Sequence, residues 1–323
     1  MDAALDLSAA QKAVSGFVTR TPLLWASNLT ERVRSNVHLK LESLQVTGSF
    51  KIRGATNRMM ALSDEERARG VITCSSGNHG RAVAHVAGVM AVPATICVPN
   101  WVDPVKHRAM EAAGAEVVLA GKTYDEADAR AWQLEGERQL TFVHPFDDPW
   151  VIAGQGTVGL EILDELPDVS EVLVALSGGG LAGGIAYAIK QVRPEVVITA
   201  VSAERATVML ESLQAGHPIE MDEEPTLANA LSGGIGLENR YSFAMIRDYV
   251  DRHLTVPEEA IAQAMGYAAR ELHLVVEGGG AVALAAVLTE TWIPHHPGAP
   301  VAVVVSGGNV SAERVREVLE PSG

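Results

Sequence analysis

Seven short, continuously apolar runs punctuate this chain, with helix-patterned text between them. They are Val37–Leu41, Gly70–Cys74, Ala94–Val98, Glu116–Leu119, Glu171–Leu176, Val196–Val201 and Val301–Val305. Runs of this length without period-two alternation predict strands covered on both faces. Strands alternating with helices predict βαβ units around a parallel sheet. Lys106–Ala113, Tyr124–Glu135 and Val310–Leu319 are the clearest intervening helices. Gly-rich turns directly follow several of the runs, and the carboxyl ends of strands are where open α/β sheets bind ligands. There is no internal repeat and no low-complexity linker.

The chain has 323 residues, beyond the roughly 250–300 at which a single core stops growing, so two domains are expected. Apolar residues make up 47% and charged residues 20%, which provides a large core and excludes disorder. The net charge of −15, with no offsetting Lys/Arg run, argues against nucleic acid and anionic membranes as partners. The opening MDAALDLSAA lacks the basic flank and apolar stretch of a signal peptide. No apolar run reaches the roughly 18–20 residues of a membrane span. Cys74 and Cys97 lie in apolar, strand-like text without metal-ligand spacing and read as buried free thiols. A soluble cytoplasmic protein is expected.

Four segments carry residues suited to chemistry. In Thr47–Ala55, Lys51 stands among small and apolar residues with Arg53 two positions on. Burial and a neighbouring cation both favour a neutral amine able to form a Schiff base. An ordinary exposed helix lysine is the plain alternative. Cys74–Gly80 follows a strand and precedes the helical text Arg81–Gly88. Its small residues let backbone N–H groups face an anion, such as a substrate carboxylate, at a helix N-terminus. Asn78 adds an amide donor, and Ser76 a hydroxyl; a capped turn with a packed His79 is the alternative. Ser177–Gly184 follows the strand Glu171–Leu176, and its glycines make a phosphate cradle. A dinucleotide fingerprint survives on this segment alone, because Glu204 follows the next strand. Ser306-Gly307-Gly308-Asn309 follows the last strand; Ser306 suits a ring nitrogen, or the loop merely caps the final helix.

Together and in this order, these segments resemble the serine/threonine dehydratase and serine racemase family of pyridoxal-phosphate enzymes. The resemblance runs from Arg20-Thr21-Pro22-Leu23 through Phe146-Asp147-Asp148-Pro149 to Ser306–Asn309. It implies an α/β, two-domain fold of type II, tryptophan synthase β-like, with mostly parallel sheets covered by helices. A small domain, 66–144, would be inserted into a large cofactor-binding domain, 1–65 and 145–323, with pyridoxal 5'-phosphate in the cleft. The resemblance makes Lys51 the Schiff-base lysine and places Phe50 on the ring and Asn78 at the ring hydroxyl. Gly178, Gly179, Gly180 and Leu181 would present N–H groups to the phosphate, Ser306 would meet the pyridine nitrogen, and Glu277 would adjoin the cofactor. Ser75, Gly77 and His79 would hold the substrate carboxylate, and Ser76 would lie on the face opposite Lys51. The implied reaction is β-elimination from L-threonine or L-serine to a 2-keto acid and ammonia by a homodimer.

This chain departs from the common dehydratases at three places. Glu277-Gly278-Gly279-Gly280 replaces Glu-Pro-Ser-Gly, Ser177 replaces a glycine, and Ala228-Asn229-Ala230 replaces Ala-Asp-Gly. The text Ser177–Gly184, Ala153–Thr157 and Gly233–Arg240 looks closest to the hydroxyectoine-utilisation dehydratase branch. Many relatives hold a divalent cation near the phosphate turn. Glu204 matches the first carboxylate there, but Leu210 stands where the second belongs, so no metal is expected. The chain stops soon after Asn309, and isoleucine feedback is not expected. Racemisation, β-replacement like that of cysteine synthase, and a non-catalytic relative are the rivals; the last would usually lack Lys51.

Overall fold

In the computed structural model, which describes residues 5–320, all seven apolar runs form strands, with small shifts at their ends. The ten strands are β1 (Leu23–Trp25), β2 (Asn36–Leu41), β3 (Val71–Cys74), β4 (Ala94–Val98), β5 (Glu116–Leu119), β6 (Thr141–Phe142), β7 (Glu171–Ala175), β8 (Val197–Ala203), β9 (Arg252–Val256) and β10 (Pro300–Val305). They make two sheets, of order β5-β4-β3-β6 and β1-β2-β10-β7-β8-β9. Every pairing is parallel except β1 with β2. The three strands absent from the sequence reading, β1, β6 and β9, all lie at sheet edges. An edge strand is not covered on both sides, so its text need not be continuously apolar. β9, Arg-His-Leu-Thr-Val, accordingly alternates in burial until its last residue.

The chain divides into two compact units. The first holds the stretch ending at Val18 and Lys51–Gly154; the second holds Thr19–Phe50 and the chain from Gln155 onward. The first unit is built on the four-stranded sheet. Segment 66–144 lies wholly inside it, and the helix Lys51–Met60 belongs to it because Ile52, Ala55 and Met59 join the core made by Val71, Ile96 and Val83. Helix ends follow local chemistry: Thr123 and Glu126 form a capping box that starts the helix Tyr124–Arg138. Ser311 caps the last helix, which therefore begins at Ala312 rather than Val310.

The second unit explains the missing alternation. Val301, Val303 and Val305 point into one core together with Leu173 and the helix Gly278–Leu288. Ala302 and Val304 point into the other with Val172, Val174 and the helix Gly180–Val192. Each apolar side chain buried in this way contributes about 1.5–3 kcal/mol. All eleven residues of Gly278–Leu288 are buried, as expected of a helix that is apolar all round. β7 and β10 are neighbours, yet the segments after them join opposite cores: Leu181 one, Val310 and Val318 the other. Their carboxyl ends therefore mark a topological switch point, where α/β sheets bind ligands.

Candidate active site

Each unit carries its own group of the residues singled out by sequence. In the first, Lys51 opens the helix Lys51–Met60 and is half-buried. A helix N-terminus is a poor place for a cation, so helical stability does not explain this lysine. Its Nζ donates to the Pro145 carbonyl at 2.7 Å. Lys40 offers a contrast. It is fully buried, and its Nζ meets Glu161 at 2.8 Å, Glu165 at 3.1 Å and the Thr21 carbonyl at 2.6 Å. Three partners occupy all three donors of an ammonium, which marks Lys40 as structural.

Ser75, Ser76, Gly77 and Asn78 form the turn between β3 and the helix Asn78–Met90. The turn is not side-chain capped: Gly77 is the N-cap residue and Asn78 the first helical one. Ser75 Oγ accepts the Gly77 N–H at 3.2 Å. The N–H groups of a first helical turn have no partner inside the helix, so Asn78, His79 and Gly80 can offer theirs to an anion. His79 is buried, and its Nε2 donates to the Val143 carbonyl at 2.8 Å. Its Nδ1 is buried without a hydrogen-bond partner. Burial, with a smaller contribution from the charge of Lys51, pulls the imidazole down to about 3. His79 is thus neutral, and a bare Nδ1 cannot donate to a carboxylate; only its backbone N–H can serve that role.

In the second unit, the Phe50 N–H donates to the Ser306 carbonyl at 3.1 Å, and Ser49 bridges Gly307. The Glu277 N–H donates to the Gly307 carbonyl at 3.1 Å, and a Cβ on Gly307 would collide with the Glu277 carboxylate. Phe50, Glu277 and Ser306 are therefore brought together. Ser306 Oγ is buried and donates to the Gly279 carbonyl at 3.4 Å, a weak bond from which the hydroxyl is easily redirected. At the end of β7, Gly179 has φ +86° and caps the helix Gly180–Val192. A Cβ there would stand 3.0 Å from Met209 Cε and 3.1 Å from Ile246 Cγ1. Gly180, Leu181 and Ala182 occupy the first turn, whose N–H groups and positive dipole end form an anion cradle. Backbone N–H groups at this helix start fit the phosphate of a phosphorylated cofactor; in the first unit, by itself, the Lys51 amine suits an aldehyde.

The three departures from the common dehydratases form one patch. Ser177 Oγ donates to the Leu231 carbonyl at 2.8 Å. A Cβ on Gly278 would strike the Leu227 carbonyl, and one on Gly279 would stand 3.2 Å from Ala230 Cβ. The glycines at 278 and 279 accommodate segment 227–231, and Ser177 ties that segment down.

Sequence reading passed over His144 and Pro145, whose turn receives Lys51. Neither a lone histidine nor a lone proline carries a signal in text. Cys74 and Cys97 are free and buried; burial pushes their thiols up to about 12 and about 11, so they are inert. Glu204 is exposed, and Leu210 packs against the core beside Val208 and Met209. Among the described residues, no group of three or more His, Cys, Asp or Glu side chains could hold a metal ion. No helix among them is long and apolar enough to cross a membrane.

Known proteins share the family and the fold. The family profile described as "Pyridoxal-phosphate dependent enzyme" matches residues 14–307. An L-threonine ammonia-lyase of Thermotoga maritima is 41% identical over 314 residues, covering 97% of this chain and 77% of that protein. The solved structure of maize serine racemase has a TM-score of 0.90 at 32% identity, covering 96% of this chain and 94% of that one. The processed form of threonine deaminase isoform 2 from Solanum lycopersicum gives 0.90 at 34% identity, with 98% and 92% covered.

Proposed function

This chain belongs to the pyridoxal-phosphate-dependent enzyme family, and we propose that within it the protein deaminates a β-hydroxy-amino acid, L-threonine or L-serine, by β-elimination. The observation that carries this reading is the 41% identity, across 97% of the chain, to an L-threonine ammonia-lyase.

Bound pyridoxal 5'-phosphate supplies a sink for the electron pair released when a bond to the substrate Cα breaks. The chain's own residues do the rest. Lys51 would hold the cofactor, and its amine would serve as general base toward the substrate Cα proton. Loss of that proton and of the β-hydroxyl, which departs as water, leaves an enamine. Hydrolysis of the enamine gives the 2-keto acid and ammonia. Gly178, Gly179, Gly180 and Leu181 would hold the phosphate, Phe50 would pack on the ring, and Asn78 would serve the ring hydroxyl. The N–H groups of the Ser75–His79 turn hold the substrate carboxylate and so orient Cα toward the amine. Ser306 would be a neutral partner for the ring nitrogen, and Glu277 braces the turn through its N–H to the Gly307 carbonyl; a neutral partner would suit elimination better than transamination.

Racemisation at the same site is the second reading. Ser76, partly exposed beside the carboxylate turn, can move a proton on the face opposite Lys51. A homodimer fits the exposed Leu24 and Trp25 on edge strand β1. The negative charge and two free thiols fit a cytoplasmic location.

The test is a screen of L-threonine, L-serine and D-serine that follows keto acid, ammonia and chirality together. Keto acid and ammonia in equal amounts from an L-substrate, abolished in Lys51→Ala, support the reading. Inverted substrate without keto acid would replace elimination by racemisation. A borohydride-fixed cofactor on Lys40 or Lys106 would overturn the lysine assignment.

A further inference from the structure

Residues 143–147 of the first unit carry two carbonyls with different clients. Val143 O accepts from His79 Nε2 at 2.8 Å and from Thr73 Oγ1 at 2.9 Å. Pro145 O accepts from Lys51 Nζ at 2.7 Å. Pro145 has no N–H with which to anchor itself, so its carbonyl must be aimed by its neighbours. His144 Nδ1 accepts the Asp147 N–H at 2.7 Å and the Phe146 N–H at 3.3 Å. The Phe146 N–H and the Pro145 C=O belong to one planar peptide unit and point in opposite directions. A grip on that N–H therefore sets where the carbonyl points. The Phe146 ring meets the imidazole edge-on, with centroids 4.7 Å apart, and fixes the ring.

We propose that His144 is a positioning residue for Lys51: by binding the two N–H groups that follow Pro145, its Nδ1 aims the Pro145 carbonyl at the lysine amine. This rests on Lys51 being the cofactor lysine. Desolvation, reinforced by the charge of Lys51 and opposed by Asp147, pulls the His144 imidazole down to about 4. The ring is then neutral at neutral pH, with Nδ1 an acceptor and the proton on Nε2. The arrangement copies an Asx-turn, in which the side-chain oxygen of Asn or Asp binds the N–H groups that follow it. Asparagine should therefore replace this histidine, and leucine should not.

The experiment compares His144→Leu and His144→Asn with the unaltered chain. One readout is the rate at which pyridoxal 5'-phosphate forms a borohydride-reducible adduct on Lys51, counted by peptide mass. The other is acetic anhydride labelling of Lys51 in the cofactor-free chain, relative to exposed Lys12, Lys106 and Lys122. In His144→Leu the adduct should form about tenfold more slowly or worse, the scale of loss expected of a misplaced reacting group. Its Lys51 should label faster, because the amine loses its carbonyl partner. His144→Asn should restore both readouts to near the unaltered chain. Leucine and asparagine variants that behave alike, whether both normal or both impaired, would overturn the proposal. Should the leucine variant fail to fold, the asparagine variant decides alone: normal readouts support positioning, and impaired ones end it. If the unaltered chain forms no adduct on Lys51, the functional reading fails, while the labelling comparison still tests positioning.

Discussion

Ser177 Oγ donates to the Leu231 carbonyl at 2.8 Å, linking the turn after β7 to the segment that packs on Gly278 and Gly279. Ser177→Ala removes the donor and leaves that carbonyl to water. We expect a stability loss of about 1 kcal/mol and faster proteolysis within 227–240. Urea unfolding and timed digestion check it; unchanged digestion would show that the segment is held by packing alone.

Gly179 is poorly suited to a side chain: its φ of +86° strains any other residue, and a Cβ would crowd Met209, Ile246 and Ser242. Gly179→Ala should cost about 1–3 kcal/mol and displace the anion-binding N–H groups. Cofactor titration should show affinity reduced by more than the fall in melting temperature explains. Affinity equal to that of the unaltered chain would remove the phosphate from this turn.

The two buried imidazoles set an acid limit on stability. Both are depressed from the ordinary value of 6.5, His79 to about 3 and His144 to about 4. The folded state prefers them neutral, so their contribution is complete above about pH 6.5 and is lost as pH falls toward 4 and 3. The slope approaches about 1.4 kcal/mol per pH unit for each group. Urea midpoints measured from about pH 7 down to about pH 5 should fall, and less steeply in His79→Gln. Equal slopes would mean that His79 titrates normally.

Ser76→Ala separates the two readings of the site. L-threonine elimination should survive, while D-serine handling and racemisation fall by about 10²-fold, the usual worth of a general acid–base group. Equal losses would assign Ser76 to the common pathway or to the fold.

Metal dependence is decided by Glu204 and Leu210. A hard divalent cation needs about six oxygens, and Leu210 supplies none from its side chain. Dialysis against a strong chelator should leave activity and melting temperature unchanged. A loss of both, restored by Mg²⁺ or Ca²⁺, would show that waters or Asp222, Glu223 or Glu224 complete a site.

The inner strands were legible because burial on both faces writes itself as an apolar run. Edge strands impose no such pattern: β5 was legible only because Val117–Leu119 happen to be apolar, while β1, β6 and β9 were not. The turn after β7 was legible as a glycine-rich helix start because Gly179 takes a left-handed backbone, φ +86°. His144 was invisible: its role is a pair of hydrogen bonds to its own turn, and nothing in neighbouring text distinguishes it from any other loop histidine. The patch joining Ser177, Leu231 and Gly278 was equally hidden, because its members meet only through the fold.

The position of β10 has a consequence for biosynthesis. Residues 300–305 fill the gap between β2, residues 36–41, and β7. Until they have been synthesised, β2 and β7 have no common partner, and the apolar faces meant for Val301–Val305 stay exposed. Pairing across such sequence distances is slow, and unpaired inner strands invite association between nascent chains. The six-stranded sheet closes late, and demand for chaperones should be greatest just before the final strand appears.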